Sequence, residues 1–126
     1  MIERGSEHIL VVEDDDLVRA YVVQQLDSLG YQVSEAPDGP TALAVIRERS
    51  DIDLLFTDIV LPGGMSGYDL AEAAGRLRPE LRVLYTSGYS EESIARYDRP
   101  DPGGELLKKP YRRQELARRL RSIFEP

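Results

Sequence analysis

The sequence has no cysteine, a single histidine and no long apolar run. Without cysteine, disulfides and thiolate metal sites are excluded. The strongly apolar runs, such as Ile9 to Val12, are far too short to cross a bilayer, so no membrane role is expected. The first residues, MIERGSEH, are polar and contain no apolar segment for a signal peptide, which makes the cytoplasm the expected compartment. Positive charge is also scarce. The 16 bases stand against 23 acids for a net charge of -7, which argues against a nucleic-acid binder.

The 126 residues suit one domain, 1–126, with a core from about 8 to 124. At this length roughly two-thirds of the unfolded surface can be buried, enough for a core without staples. Charge is unevenly placed. Seven of the 16 bases (Lys108, Lys109, Arg112, Arg113, Arg118, Arg119 and Arg121) fall between 108 and 121, where Glu115 is the only acid. That stretch reads first as a solvated face and second as a docking face. EDDD, 13 to 16, puts four acids in a row directly after a strand-like segment.

Strand-like and helix-like patterns alternate throughout. HILVVE (8–13) is apolar and β-branched, as strands are. Residues 16 to 29 then place Leu17, Val18, Tyr21, Val22, Leu26 and Leu29 near one face of a helix stopped by Gly30. YQVSEA is a second strand. Asp38 to Arg49 reads as a helix capped by Asp38, with Pro40 in its first turn. DLLFTD, LRVLYTS and ELLKK read as strands three to five, and GYDLAEAAGRL, a short EESIARY and Arg112 to Phe124 as the helices that follow them. Five β-α units of this kind predict an α/β flavodoxin-like (βα)5 three-layer sandwich around a parallel five-stranded sheet of order 2-1-3-4-5.

In that order strands one and three are neighbours, and ligands sit beyond the C-terminal strand ends there. Strand one ends in Glu13 and Asp14, strand three in Asp58, strand four in Thr86 and Ser87, strand five in Lys108 and Lys109. One such acid would be an ordinary turn residue. Polar chemistry on four strand ends is a different matter. Three clustered carboxylates repel unless a cation sits among them, and carboxylate and carbonyl oxygens suit Mg2+. A lysine and a serine hydroxyl opposite the metal can hold phosphate oxygens, leaving a carboxylate as in-line nucleophile.

With these residues in view, the sequence resembles a response-regulator receiver domain of two-component signalling. The motifs ILVVEDD, TDIVLPGGMSG, VLYTSGY and LLKKP stand in the family's order and spacing over nearly the whole chain. PGGMSG and TSGY are most similar to receivers attached to hybrid sensor histidine kinases. The resemblance implies that Asp58 is the phosphoacceptor and that Mg2+ is held by Glu13, Asp14, Asp58 and the backbone carbonyl of Val60. Ser87 and Lys109 would then contact the phosphoryl group, and the bond between Lys109 and Pro110 would be cis. Asp15 and Asp16 match no ligand position; Asp16 reads as a helix N-cap. His8 reads as a surface residue and not a phosphodonor, Lys108 as ordinary surface.

The implied function is Mg-dependent phosphoryl transfer from a sensor histidine kinase, or a histidine phosphotransfer protein, to Asp58. Output is expected through protein contacts or relay, by a monomer or weak dimer. The chain is then a signalling phosphoacceptor that catalyses only its own phosphorylation and dephosphorylation. Met1 and compact ends favour a stand-alone regulator over a domain cut from a hybrid kinase. A phosphohydrolase of the haloacid dehalogenase kind wants a second acid two residues after the nucleophile, where this chain has Val60, and a substrate cap for which there is no room. Two features depart from the common receiver pattern. Leu106 replaces an aromatic three residues before the lysine, and the segment 88–104 is rich in Pro and Gly, which predicts activation by ordering of that segment. Tyr89 is expected to impede the water that would hydrolyse an acyl phosphate.

Overall fold

A computed structural model describes residues 3–88 and 105–126. β1 (His8–Val12), β2 (Gln32–Ala36), β3 (Leu54–Asp58), β4 (Arg82–Ser87) and β5 (Glu105–Lys108) form one parallel sheet of order β2-β1-β3-β4-β5, as predicted. The helices among the described residues are α1 (Asp16–Ser28), α2 (Gly39–Glu48), α3 (Gly67–Leu77) and α4 (Arg113–Phe124). The expected helix over 91–97, Tyr89 and nearly all of the segment 88–104 lie outside the described residues. Among the described residues, no helix is long and apolar enough to cross a membrane.

Because successive strand residues point to opposite faces, β1 serves two cores at once. Leu10 and Val12 meet α2 and α3 through Leu43, Ile46, Leu70 and Ala74. Ile9 and Val11 meet α1 and α4 through Val22, Leu26, Leu116 and Leu120. Leu55 and Phe56 divide in the same way on β3, as do Tyr85 and Leu84 on β4. Leu10, Leu55 and Leu84 are fully buried, each worth about 2 kcal/mol of hydrophobic stabilisation. Leu106 packs half-buried on the α2/α3 side, one strand over from Tyr85.

Local chemistry sets the element ends. Asp38 caps α2 by accepting from Thr41 N at 2.8 Å. Ser66 and Asp69 cap α3 reciprocally. Gly30, at φ +96°, ends α1 in a conformation that a side chain would strain.

Three expectations fail here. The N-cap of α1 is Asp15, not Asp16: Asp15 Oδ1 accepts from Leu17 N and Val18 N, while Asp16 is already helical and ion-paired to Arg19. The apolar residues of α1 do not share one face. Val22, Leu26 and Leu29 are buried, but Leu17 is 84% exposed and Tyr21 61%. At about 100° per residue, Leu17 and Tyr21 lie a quarter-turn or more around the helix from the buried line. His8 is buried, not on the surface. Its Nε2 lies 2.8 Å from Ser34 Oγ and its Nδ1 3.1 Å from Asp51 Oδ2, while its N–H donates to Asp53. A polar residue can open a buried strand when both ring nitrogens find partners.

Candidate functional site

β1 and β3 are hydrogen-bonded neighbours, so their C-terminal ends deliver Glu13, Asp14 and Asp58 to one rim. One oxygen from each carboxylate lies within 4.8 Å of the others. Lys109, one residue past β5, reaches across both acids: its Nζ is 3.0 Å from Glu13 Oε1 and 3.2 Å from Asp58 Oδ2. The Lys109–Pro110 peptide bond is cis, as expected. Thr86 is the β4 register partner of Asp58, and Ser87 follows it, 2% exposed. The Ser87 carbonyl accepts from Lys109 N at 2.9 Å, which ties the hydroxyl-bearing strand end to the lysine. Val60 sits in the bend two residues beyond Asp58. Lys108 is exposed.

The loop after Asp58 shows two separate uses of glycine. Gly63 and Gly64 have φ of +81° and +79° with open space around them, so they turn the chain. Gly67 instead lies flat against the β3 exit; a Cβ there would overlap the Asp58 carbonyl and crowd the Ile59 backbone. Its N–H donates to the Ile59 carbonyl at 2.7 Å. α3 therefore starts in contact with the backbone of the central acid.

The electrostatics follow from burial. The Asp58 side chain is 14% exposed, and burial, aided by the neighbouring Glu13 charge, pushes its carboxyl up to about 7 against the pull of Lys109. Burial also works to raise Glu13, but the Asp15 N–H and the Lys109 ammonium outweigh it and hold Glu13 below its ordinary value. Asp14, though exposed, is raised by partial desolvation and by Glu13. Lys109 is raised because its two carboxylates outweigh the cost of its burial. Asp58 is therefore the hardest of the acids to ionise, and a divalent cation among these oxygens would reverse that. The donor set is all hard oxygen, which fits Mg2+.

The sequence-predicted residues Glu13, Asp14, Asp58 and Lys109 are thus brought together, with Ser87 and Val60 on the adjoining strand end and bend. Several supporting groups escaped the sequence reading. Arg19 donates to the Glu13 carbonyl, Thr57 Oγ1 to the Asp58 carbonyl, and the Asp15 N–H to Glu13 Oε2. Tyr111 packs on Phe56, and its hydroxyl is raised by burial and by the charges of Asp58 and Glu13. The available signal was Arg19 itself, the only base in a helix that follows four acids.

The response regulator receiver domain family matches residues 9–121. The chain is 34% identical over 122 residues to the sensor kinase CckA of Brucella abortus, covering 96% of this chain but only 13% of that protein. It is 28% identical to the response regulator receiver protein CpdR of the same organism, covering 94% of this chain and 97% of CpdR. The receiver domain of the hybrid histidine kinase CckA superposes with a TM-score of 0.78 at 34% identity, over 94% of this chain and 99% of that one. A signal receiver domain of an HD domain-containing protein from Pseudomonas fluorescens superposes at 0.82 with 26% identity, over 96% of both chains. With its fold, its acidic rim and these relatives in agreement, the chain belongs to the response regulator receiver domains of two-component signalling.

Proposed function

We propose that the chain is a single receiver domain whose Asp58 accepts a phosphoryl group in a Mg2+-dependent step from a sensor histidine kinase or a histidine phosphotransfer protein. The observation that carries this is the convergence of Glu13, Asp14 and Asp58 with Lys109 bridging two of them. In this reading an Asp58 oxygen attacks phosphorus in line while the bond to the donor nitrogen breaks, leaving an acyl phosphate and a neutral imidazole. Glu13, Asp14, Asp58 and the Val60 carbonyl would hold Mg2+, which would supply charge neutralisation for the transferred oxygens. Lys109 exchanges its contact with Asp58 for one with a phosphoryl oxygen, and Ser87 offers its hydroxyl to another. Burial of Asp58 excludes bulk water from the nucleophile.

A protein donor must bring its phosphohistidine to this rim, so its footprint surrounds the start of α1. There Leu17, Val18 and Tyr21 offer exposed apolar surface next to the acids. Intact-protein mass spectrometry after incubation with acetyl phosphate tests the reading. One added phosphoryl group is expected in Mg2+, none in EDTA and none in Asp58→Asn. Phosphorylation of the Asn protein at wild-type extent refutes the assignment.

A further inference from the structure

Arg19 is the only base in α1, and its side chain is just 16% exposed. All three of its nitrogens are engaged. Nη1 donates to the Glu13 carbonyl at 2.8 Å, Nη2 to Asp16 Oδ1 at 2.8 Å and Nε to Glu35 Oε1 at 3.0 Å. Glu13 and Asp16 stand at the two ends of the turn that carries Asp14, and Glu35 belongs to β2. One planar guanidinium therefore ties both ends of the acid-bearing turn to the neighbouring strand.

Two of these partners contribute little to the fold. The Asp16 side chain is 87% exposed and that of Glu35 52%, and ion pairs so open to solvent add little to stability. The third partner differs, because Glu13 is 6% exposed and presents its carboxylate to the cluster. Its N–H donates to the Ala36 carbonyl at 3.2 Å, its Oε1 accepts from Lys109 and its Oε2 from Asp15 N. The Arg19 bond is what fixes the remaining polar atom of this residue, the carbonyl from which the chain turns into Asp14.

We propose that Arg19 is a positioning residue for the cation site, its bond to the Glu13 carbonyl holding the turn so that Glu13 and Asp14 converge on Asp58. This rests on the reading of the cluster as a Mg2+ site. The sign of the effect separates it from simple charge. A cationic side chain near a cation site repels the ion, so deleting Arg19 for electrostatic reasons alone would tighten Mg2+ binding. Deleting a group that aims the ligands weakens it, by about tenfold for outer-shell partners of this kind.

Calorimetric titration with Mg2+ of wild type, Arg19→Gln, Arg19→Lys and Glu35→Gln decides between them, alongside thermal melts in EDTA. Arg19→Gln is expected to raise the Mg2+ Kd about tenfold while its melting temperature in EDTA falls by no more than about 5 °C. Arg19→Lys keeps the charge but lacks the fork, and should shift the Kd in the same direction. Glu35→Gln leaves the carbonyl bond intact and should stay within about twofold of wild type, as an exposed ion pair allows. An Arg19→Gln protein that binds Mg2+ as well as wild type, or more tightly, overturns the proposal, as does wild-type affinity in Arg19→Lys. So does a collapse of Arg19→Gln stability in EDTA, which would mark a purely structural role. A wild-type protein that binds no Mg2+ overturns the metal reading itself, and this proposal with it.

Discussion

Replacing Asp58 by Asn keeps the shape of the central side chain but removes a buried ionisable group. In the folded chain that carboxyl titrates at about 7, against an ordinary value of 3.8. Between those two pH values the native state holds a proton that the unfolded chain has released. Stability without metal must therefore fall as pH rises through that window. Integrated from pH 5 to pH 8, the Asp58 contribution amounts to a loss of about 2.5 kcal/mol. The Asn variant lacks this group, so its stability should decline less with pH, and the difference between the two proteins should widen toward pH 8 in favour of Asn. Lys109 keeps its contact with Glu13 in the variant, so the comparison leaves the lysine partnered. Urea unfolding followed by circular dichroism, in EDTA at half-unit steps from pH 5 to 8, measures both curves. Because the two proteins differ only at residue 58, the difference curve reports that residue together with the neighbours it perturbs, Glu13, Lys109 and Tyr111. A difference that is flat with pH, or that moves in favour of wild type as pH rises, refutes the account of Asp58 as a buried carboxyl strained by its neighbours.

Millimolar Mg2+ should raise the wild-type melting temperature, since binding to the native state alone stabilises by about 1.4 kcal/mol at ten times Kd; Asp14→Ala should lose that rise. Leu17→Ser and Tyr21→Ala should slow phosphorylation by a cognate histidine kinase several-fold while leaving the rate with acetyl phosphate unchanged, because only a protein donor meets that surface. His8→Leu should cost about 1–3 kcal/mol in urea unfolding by leaving the Ser34 hydroxyl without its ring partner, an effect that a surface histidine would not produce.

The sheet order was legible because strand and helix periods alternate cleanly and parallel connections leave few topologies. The site was legible for a related reason. A polar residue ending an apolar run is conspicuous, and four such endings on one predicted rim admit few explanations. What sequence did not reveal depends on rotation and on partners. Leu17 and Tyr21 are as apolar as Val22 and Leu26, and only the angle of α1 against the sheet decides which pair is buried. His8 has the composition of a surface residue; its burial depends on Ser34 and Asp51, 26 and 43 residues away in sequence. Asp15 and Asp16 are chemically identical, and the cap falls to whichever one precedes the first helical turn. Lys109 reads in the sequence as a contact for a phosphate oxygen; its bridge between Glu13 and Asp58, whose two negative charges make a place for it, depends on three strand ends meeting.

That resting contact also bears on how the chain is made. Lys109 lies 96 residues after Glu13 and 51 after Asp58, so the bridge closes the longest loops in the site. Contacts of such sequence separation form late, after the local and neighbouring pairings have reduced the entropy of closure. With β5 in place, the ammonium of Lys109 lies between two acids that would otherwise repel each other. β5 and the residue that follows it thus supply both the edge strand of the sheet and the ammonium of the receiving site.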